Sequence, residues 1–128
     1  MEFTIETKLP ASPDDVFDAW LSSEKHSAMT GSPAHVSAEV GGRFHAWNQY
    51  ISGTNLEIDR KTRILQAWRT TDFKQKTEDS LVEITFQKSG EGCLVTIHHS
   101  HLSSDGAKYK KGWEDYYFDP MERYFLSL

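Results

Sequence analysis

Between residues 35 and 102 the chain alternates polar and apolar side chains with a period of two, in short runs broken by turn residues. Beyond Gly106 the period becomes helical and stays so. The runs cover residues 35–39, 43–47, 50–58, 63–71, 81–88 and 93–102. Gly41 and Gly42, then 59–61, then 89–92 supply tight turns between them. Period-two runs joined by short turns predict an antiparallel sheet with one dry and one wet face. The dry face needs a cover, and the only element long enough is the last one. Its central stretch, GWEDYYFDPMERYF, places Trp113, Tyr116, Tyr117, Pro120, Met121 and Tyr124 on one broad helical face. Glu114, Asp115, Glu122 and Arg123 fall away from that face. Pro120 takes away the donor for the Tyr116 carbonyl, so a kink is expected there.

The start of the chain adds three elements. Residues 2–9, EFTIETKL, alternate as a half-buried strand, with Phe3, Ile5, Thr7 and Leu9 on one side. Ser12 followed by Pro13, Asp14 and Asp15 is a helix start, with a capping hydroxyl, a proline in the first turn and two acids at the positive end of the dipole. Val16, Phe17, Trp20 and Leu21 then recur at helical spacing. Residues 23–29 read as a second short helix, broken by Gly31 and Pro33. Strands flanked by helices in this order define an α+β class. The architecture expected is a curved antiparallel sheet wrapped around a long C-terminal helix, with two short helices after the first strand, in a single domain over 1–128.

Composition narrows the function classes. A net charge of −5, with the basic residues scattered, argues against a nucleic-acid partner. The lysines at 108, 110 and 111 read as the solvated first turn of the last helix. No apolar run suits a signal peptide or a membrane span, and the lone Cys93 suits a reducing compartment, so a cytoplasmic location is expected. No phosphate loop and no dinucleotide fingerprint are present, so no cofactor is expected.

Several stretches resemble a known family. Residues 10–20, PASPDDVFDAW, are similar to its proline-marked first helix. Val40-Gly41-Gly42-Arg43-Phe44, with Gly53 and Glu57-Ile58, resembles its paired-glycine hairpin. Residues 64–69, ILQAWR, resemble a strand ending in Trp-Arg, and residues 95–100, VTIHHS, one closing with His-Ser. Gly112-Trp113, Tyr117, Asp119-Pro120-Met121 and Tyr124 resemble its last helix. Together they resemble the helix-grip proteins of the Bet v 1-like and START-like (SRPBCC) superfamily. The branch is that of the C-terminal domain of the activator of the heat-shock protein 90 ATPase. The resemblance implies a cavity between sheet and helix for a small hydrophobic or amphipathic molecule. The branch name implies a chaperone partner instead, and a third implication is a cyclase, aromatase or hydrolase using the same cavity. Binding rather than catalysis is the first expectation, in a monomer or homodimer.

The ligand-lining residues expected are Trp68, Phe86, Ile97, His99, Trp113, Tyr117 and Tyr124, with His99 and the tyrosine hydroxyls orienting the guest. A plain core stripe is the alternative for each aromatic. His99 could equally be a buried histidine satisfied by a neighbour, or a general acid or base. His99 and His101 share a face if the strand continues, a spacing open to zinc, but no third ligand is evident and no metal site is expected. Cys93 has no basic neighbour to lower its pKa, so no catalytic thiol is expected. Arg43 and Glu57 are expected to pair across strands.

Overall fold

A computed structural model describes residues 1–128. The chain forms β1 (Phe3–Leu9), α1 (Pro13–Trp20), α2 (Ser23–Thr30), β2 (Arg43–Ala46), β3 (Ile51–Asp59), β4 (Arg63–Thr70), β5 (Ser80–Ser89) and β6 (Gly92–Ser100). A continuous helical run follows: α3 (Lys108–Trp113), a π-helical turn (Glu114–Phe118) and α4 (Asp119–Leu126). The strands make one antiparallel sheet in the order β1-β6-β5-β4-β3-β2. This is the expected α+β helix-grip arrangement. Both short helices begin as their sequences dictate. Ser12 Oγ accepts from the Asp15 N–H at 3.1 Å, and Ser22 Oγ from the Lys25 N–H at 3.2 Å. Gly31, at φ +80°, ends α2 in the left-handed conformation that glycine adopts without a steric penalty.

Register explains the core. Ile5 faces Ile97, Ile97 faces Ile84, and Ile84 faces Ile64, so four isoleucines cross β1, β6, β5 and β4, and Ile58 of β3 continues the row opposite Ile64. Three of the four are fully buried, and Ile5 is 8% exposed. The next row runs Phe3, His99, Val82, Gln66 and Asn55. Its polar members are paired: Gln66 Nε2–H donates to Asn55 Oδ1 at 2.9 Å, and Asn55 Nδ2 donates to the carbonyls of Ser37 and Glu39. The helices close this face, α1 against β5 and β6, and α4 against β1 and α2.

The expected strand at 35–39 does not form. Only His35 makes a bridge, to His45. The backbone there is held by side chains instead of a neighbouring strand. Ser23 Oγ pairs with both the N–H and the carbonyl of Val36, Ser27 Oγ accepts from the Ala34 N–H, and Asn55 takes the carbonyls beyond. Arg43 does not reach Glu57. It donates to Thr54 Oγ1, while Glu57 pairs with Arg63 at 2.9 Å, because the bulge between Asn55 and Glu57 turns that segment of β3.

Gly53 sits opposite Phe44 on one side and Trp68 on the other. A Cβ there would lie 1.9 Å from the Ala67 carbonyl oxygen and 2.6 Å from the Phe44 ring. Gly53→Ala is therefore expected to destabilise the protein by about 3 kcal/mol through overpacking. A thermal melt checks this; an unchanged Tm would mean that β2 moves away freely.

The last helix keeps its inward stripe by a device that composition does not show. Tyr109, Trp113, Tyr117, Met121 and Phe125 are all buried. They recur every four residues, whereas an α-helix turns every 3.6, so such a stripe should drift around the helix. The π turn accommodates the surplus. Its end is marked by the Asp119 N–H donating to the Glu114 carbonyl, five residues back. It stands just ahead of Pro120, where a wider turn moves the preceding carbonyls away from the proline ring. The expected face is corrected accordingly. Tyr116 is 56% exposed and Tyr124 is only half-buried, while Phe118 and Phe125 are buried in their place.

Candidate aromatic cleft and its histidine-backed wall

His99 is fully buried at the centre of a directed hydrogen-bond chain. The indole of Trp113 can only donate, and Nε1–H donates to His99 Nδ1 at 3.0 Å. The ring proton therefore sits on Nε2, which donates to Ser80 Oγ at 2.9 Å. Ser80 in turn donates to the Trp68 carbonyl at 2.8 Å. Burial, reinforced by nearby His98, pushes the His99 pKa down to about 3, so the imidazole is neutral. Both ring nitrogens are occupied by protein. Of the expectations weighed for His99, this is the histidine satisfied by its neighbours. His101 does not share its face: β6 ends at Ser100, and His101 turns away at φ +60° and is exposed.

His26 forms a second such node. Its Nδ1–H donates to the Trp20 carbonyl at 2.8 Å, which leaves Nε2 to accept from the Tyr117 hydroxyl at 2.9 Å. Burial lowers the His26 pKa to about 4 and raises that of Tyr117. Rings pack around the two nodes: Trp20 stacks on Tyr117 at 5.1 Å, and Trp68 meets His99 edge-on at 4.6 Å. Cys93 is buried, and desolvation pushes its thiol up to about 11.

In front of these nodes lies a cleft of about 320 Å³. Its sheet side is Ile51 and Trp68. Its helix side is Tyr109, Gly112, Trp113, Tyr116 and Tyr117. Trp47 and Tyr50, from the β2–β3 loop, close one end. The polar atoms of these rings mostly turn to protein. Tyr109 Oη bonds Thr70 Oγ1 at 2.8 Å, and Tyr50 Oη donates to Asp72 at 2.6 Å. Tyr117 and Trp113 are committed to the two histidines. What remains facing the cleft is mainly ring surface, with the Trp68 indole N–H and the Tyr116 hydroxyl making no hydrogen bond within the protein. At its mouth the Tyr50 hydroxyl and then Lys108 hold the Asp72 carboxyl below its ordinary pKa, while burial and then Asp72 raise that of Tyr50.

The loop that closes the cleft is strained. Trp47, Asn48 and Gln49 are successive residues at φ +52°, +52° and +71°. The left-handed conformation costs a residue with a Cβ about 1–2 kcal/mol. Trp47 Nε1–H is also buried without an acceptor, which adds a desolvation cost of about 1–3 kcal/mol.

Of the seven residues expected to line a ligand site, Trp68, Trp113 and Tyr117 meet at the cleft. Phe86, Ile97 and His99 lie behind it in the core, and Tyr124 packs on Phe125 at 5.0 Å, away from it. Sequence reasoning missed Trp47, Tyr50, Ile51, Tyr109, Gly112 and Tyr116. Tyr109 was legible, standing four residues before Trp113. Trp47 was not, because its position depends on a backbone turn that tryptophan rarely adopts.

A six-stranded antiparallel sheet gripping a C-terminal helix, with an aromatic cleft between them, defines a protein of the helix-grip class. Within that class the chain belongs to the family described as Activator of Hsp90 ATPase homolog 1-like protein, which it matches over residues 10–125. It is 26% identical over 127 residues to Activator of 90 kDa heat shock protein ATPase homolog 1 from Homo sapiens, covering 97% of this chain and 37% of that protein. The chain thus spans a little over a third of the length of that relative. In fold it is similar to an HSP90 activator from Plasmodium falciparum, with TM-score 0.84 and 22% identity, covering 96% of this chain and 94% of that one. It is also similar to CalU16 from Micromonospora echinospora, with TM-score 0.81 and 22% identity, covering 97% and 75%. No helix is long and apolar enough to cross a membrane.

Proposed function

We propose that this chain, acting as a single cytoplasmic domain, binds a small apolar or amphipathic molecule in the aromatic cleft. What carries the reading is the orientation of the lining rings. Tyr50, Tyr109, Trp113 and Tyr117 turn their polar atoms to protein partners and their ring surface to the cleft. Ligand pockets are largely apolar and about 300–1,000 Å³ in volume, so this cleft suits a compact guest. Trp68, Trp113 and Tyr117 are the proposed contact residues. Phe86, Ile97 and His99 back the wall, and His99 takes no part in chemistry because both its nitrogens are occupied. Naphthalene added to the ¹⁵N-labelled protein is expected to move the indole signals of Trp68 and Trp113 while leaving those of the distant β5–β6 turn in place. Unmoved indole signals at saturating naphthalene would remove this reading.

A second reading is favoured by the family match: the chain docks on a heat-shock protein 90 chaperone and stimulates its ATPase. Its support is the similarity to activators across nearly the whole chain. A purified chaperone whose ATPase rate rises with added protein would support it. A flat response, together with no co-elution, would remove it.

A further inference from the structure

We infer that the guest of this cleft is a flat apolar ring molecule carrying one hydrogen-bond acceptor, and that Trp47 Nε1–H is the donor that fixes it. The inference rests on the ligand-binding reading above and names the ligand class. Four lining rings have their polar atoms paired within the protein. Trp68, Tyr116 and Trp47 keep polar atoms without a protein partner, and of these three only the Trp47 Nε1–H is buried. An indole can only donate, so whatever pairs with it must accept. No charged side chain lines the cleft, which favours a neutral guest.

The shape of the cleft points the same way. Trp47 packs edge-on against Tyr116 at 5.2 Å, and both rings line the cleft. On the helix wall Gly112 leaves open space: a Cβ built there meets nothing within 4 Å. A slot between aromatic surfaces with a gap at a glycine suits a planar ring system better than a flexible chain. Trp47 as a whole is half-buried, yet its N–H is closed off, so pairing with a guest requires the indole to turn. It sits in the loop whose three left-handed residues make the closed conformation costly to hold.

Quinoline and naphthalene have nearly the same shape, and at neutral pH they differ chiefly in the ring nitrogen that accepts a hydrogen bond. Both should be titrated into the ¹⁵N-labelled chain and into Trp47→Phe and Gly112→Leu variants. Quinoline is expected to bind about tenfold more tightly than naphthalene, the worth of one neutral hydrogen bond. The Trp47 indole N–H signal should move downfield with quinoline alone. Trp47→Phe should abolish the preference while naphthalene still binds. Gly112→Leu replaces a poor helix former by a good one, so the helix is kept, and it should abolish binding of both. Equal affinities in the natural chain, or a preference that survives Trp47→Phe, would overturn the donor role and leave the cleft reading standing. Failure of both probes to bind would overturn the two together.

Discussion

His99→Ala is expected to lower the stability of the fold by about 4 kcal/mol. The imidazole is fully buried and joins β6 to the last helix through Trp113, and to β5 through Ser80. Truncation leaves the Trp113 N–H without its acceptor, at a cost of about 1–3 kcal/mol. It also opens a cavity beneath Trp68 and Phe3, whose rings lie 4.6 and 5.4 Å from the imidazole. Ser80 keeps the Trp68 carbonyl and so loses less. Since small domains are stable by only about 5–15 kcal/mol, this one change removes a large share. Trp113→Phe should also destabilise, because it leaves the buried His99 Nδ1 without its donor. Combining the two should cost less than the sum of the singles by about 1 kcal/mol. Urea denaturation of the four proteins measures this; strict additivity would show that the 3.0 Å contact carries no coupling.

The second large effect is acid lability. His26 and His99 hold folded pKa values of about 4 and about 3, against 6.5 for an ordinary histidine. Below 6.5 the unfolded chain binds protons that the folded chain refuses, so unfolding gains free energy as the pH falls. Each histidine costs about 1.4 kcal/mol per pH unit between 6.5 and its folded pKa. At pH 5 the pair together removes roughly 4 kcal/mol, and the loss continues toward pH 4. Above 6.5 both groups are neutral in both states and stability no longer depends on them. Unfolding free energies at pH 7.5 and pH 5 test the size, and the imidazole proton shifts of the folded chain test the cause. Titration of both buried rings near 6.5 would sink the explanation.

Much of the fold was legible in particular residues. The period-two runs placed Ile64, Trp68, Ile84 and Ile97 inward, and those residues are buried. Ser12 and Pro13 marked a helix start that the structure keeps. The failures have local causes. Residues 35–39 look like a strand, but the serines of α2 and the Asn55 amide claim their backbone first. The stripe of the last helix was projected with 3.6 residues per turn, and the π turn changes that phase midway, exchanging Tyr124 for Phe125.

The candidate site was legible only in part. Trp68, Trp113 and Tyr117 could be placed on inward faces because period alone decides which side of an element a residue occupies. Whether an inward ring fills the core or borders a cleft depends on what the chain brings opposite it, which period does not encode. Phe86 meets Phe17 at 5.5 Å and is enclosed, whereas Trp68 has the open side of Gly112 near it.

By itself the sequence determined the alternation of faces, the helix starts, the turn positions and the family, since each follows from residues close together or from a pattern shared along the chain. Tertiary structure decided the rest. It set the neutral state of His99 by burying it and its tautomer by laying a donor-only indole from the last helix against it, the phase of that helix by a wide turn ahead of Pro120, and the closing of one end of the cleft by a left-handed run at Trp47. Each of these depends on groups distant in the chain, or on a backbone state that the residue type disfavours, and only the packed fold supplies the compensating contacts.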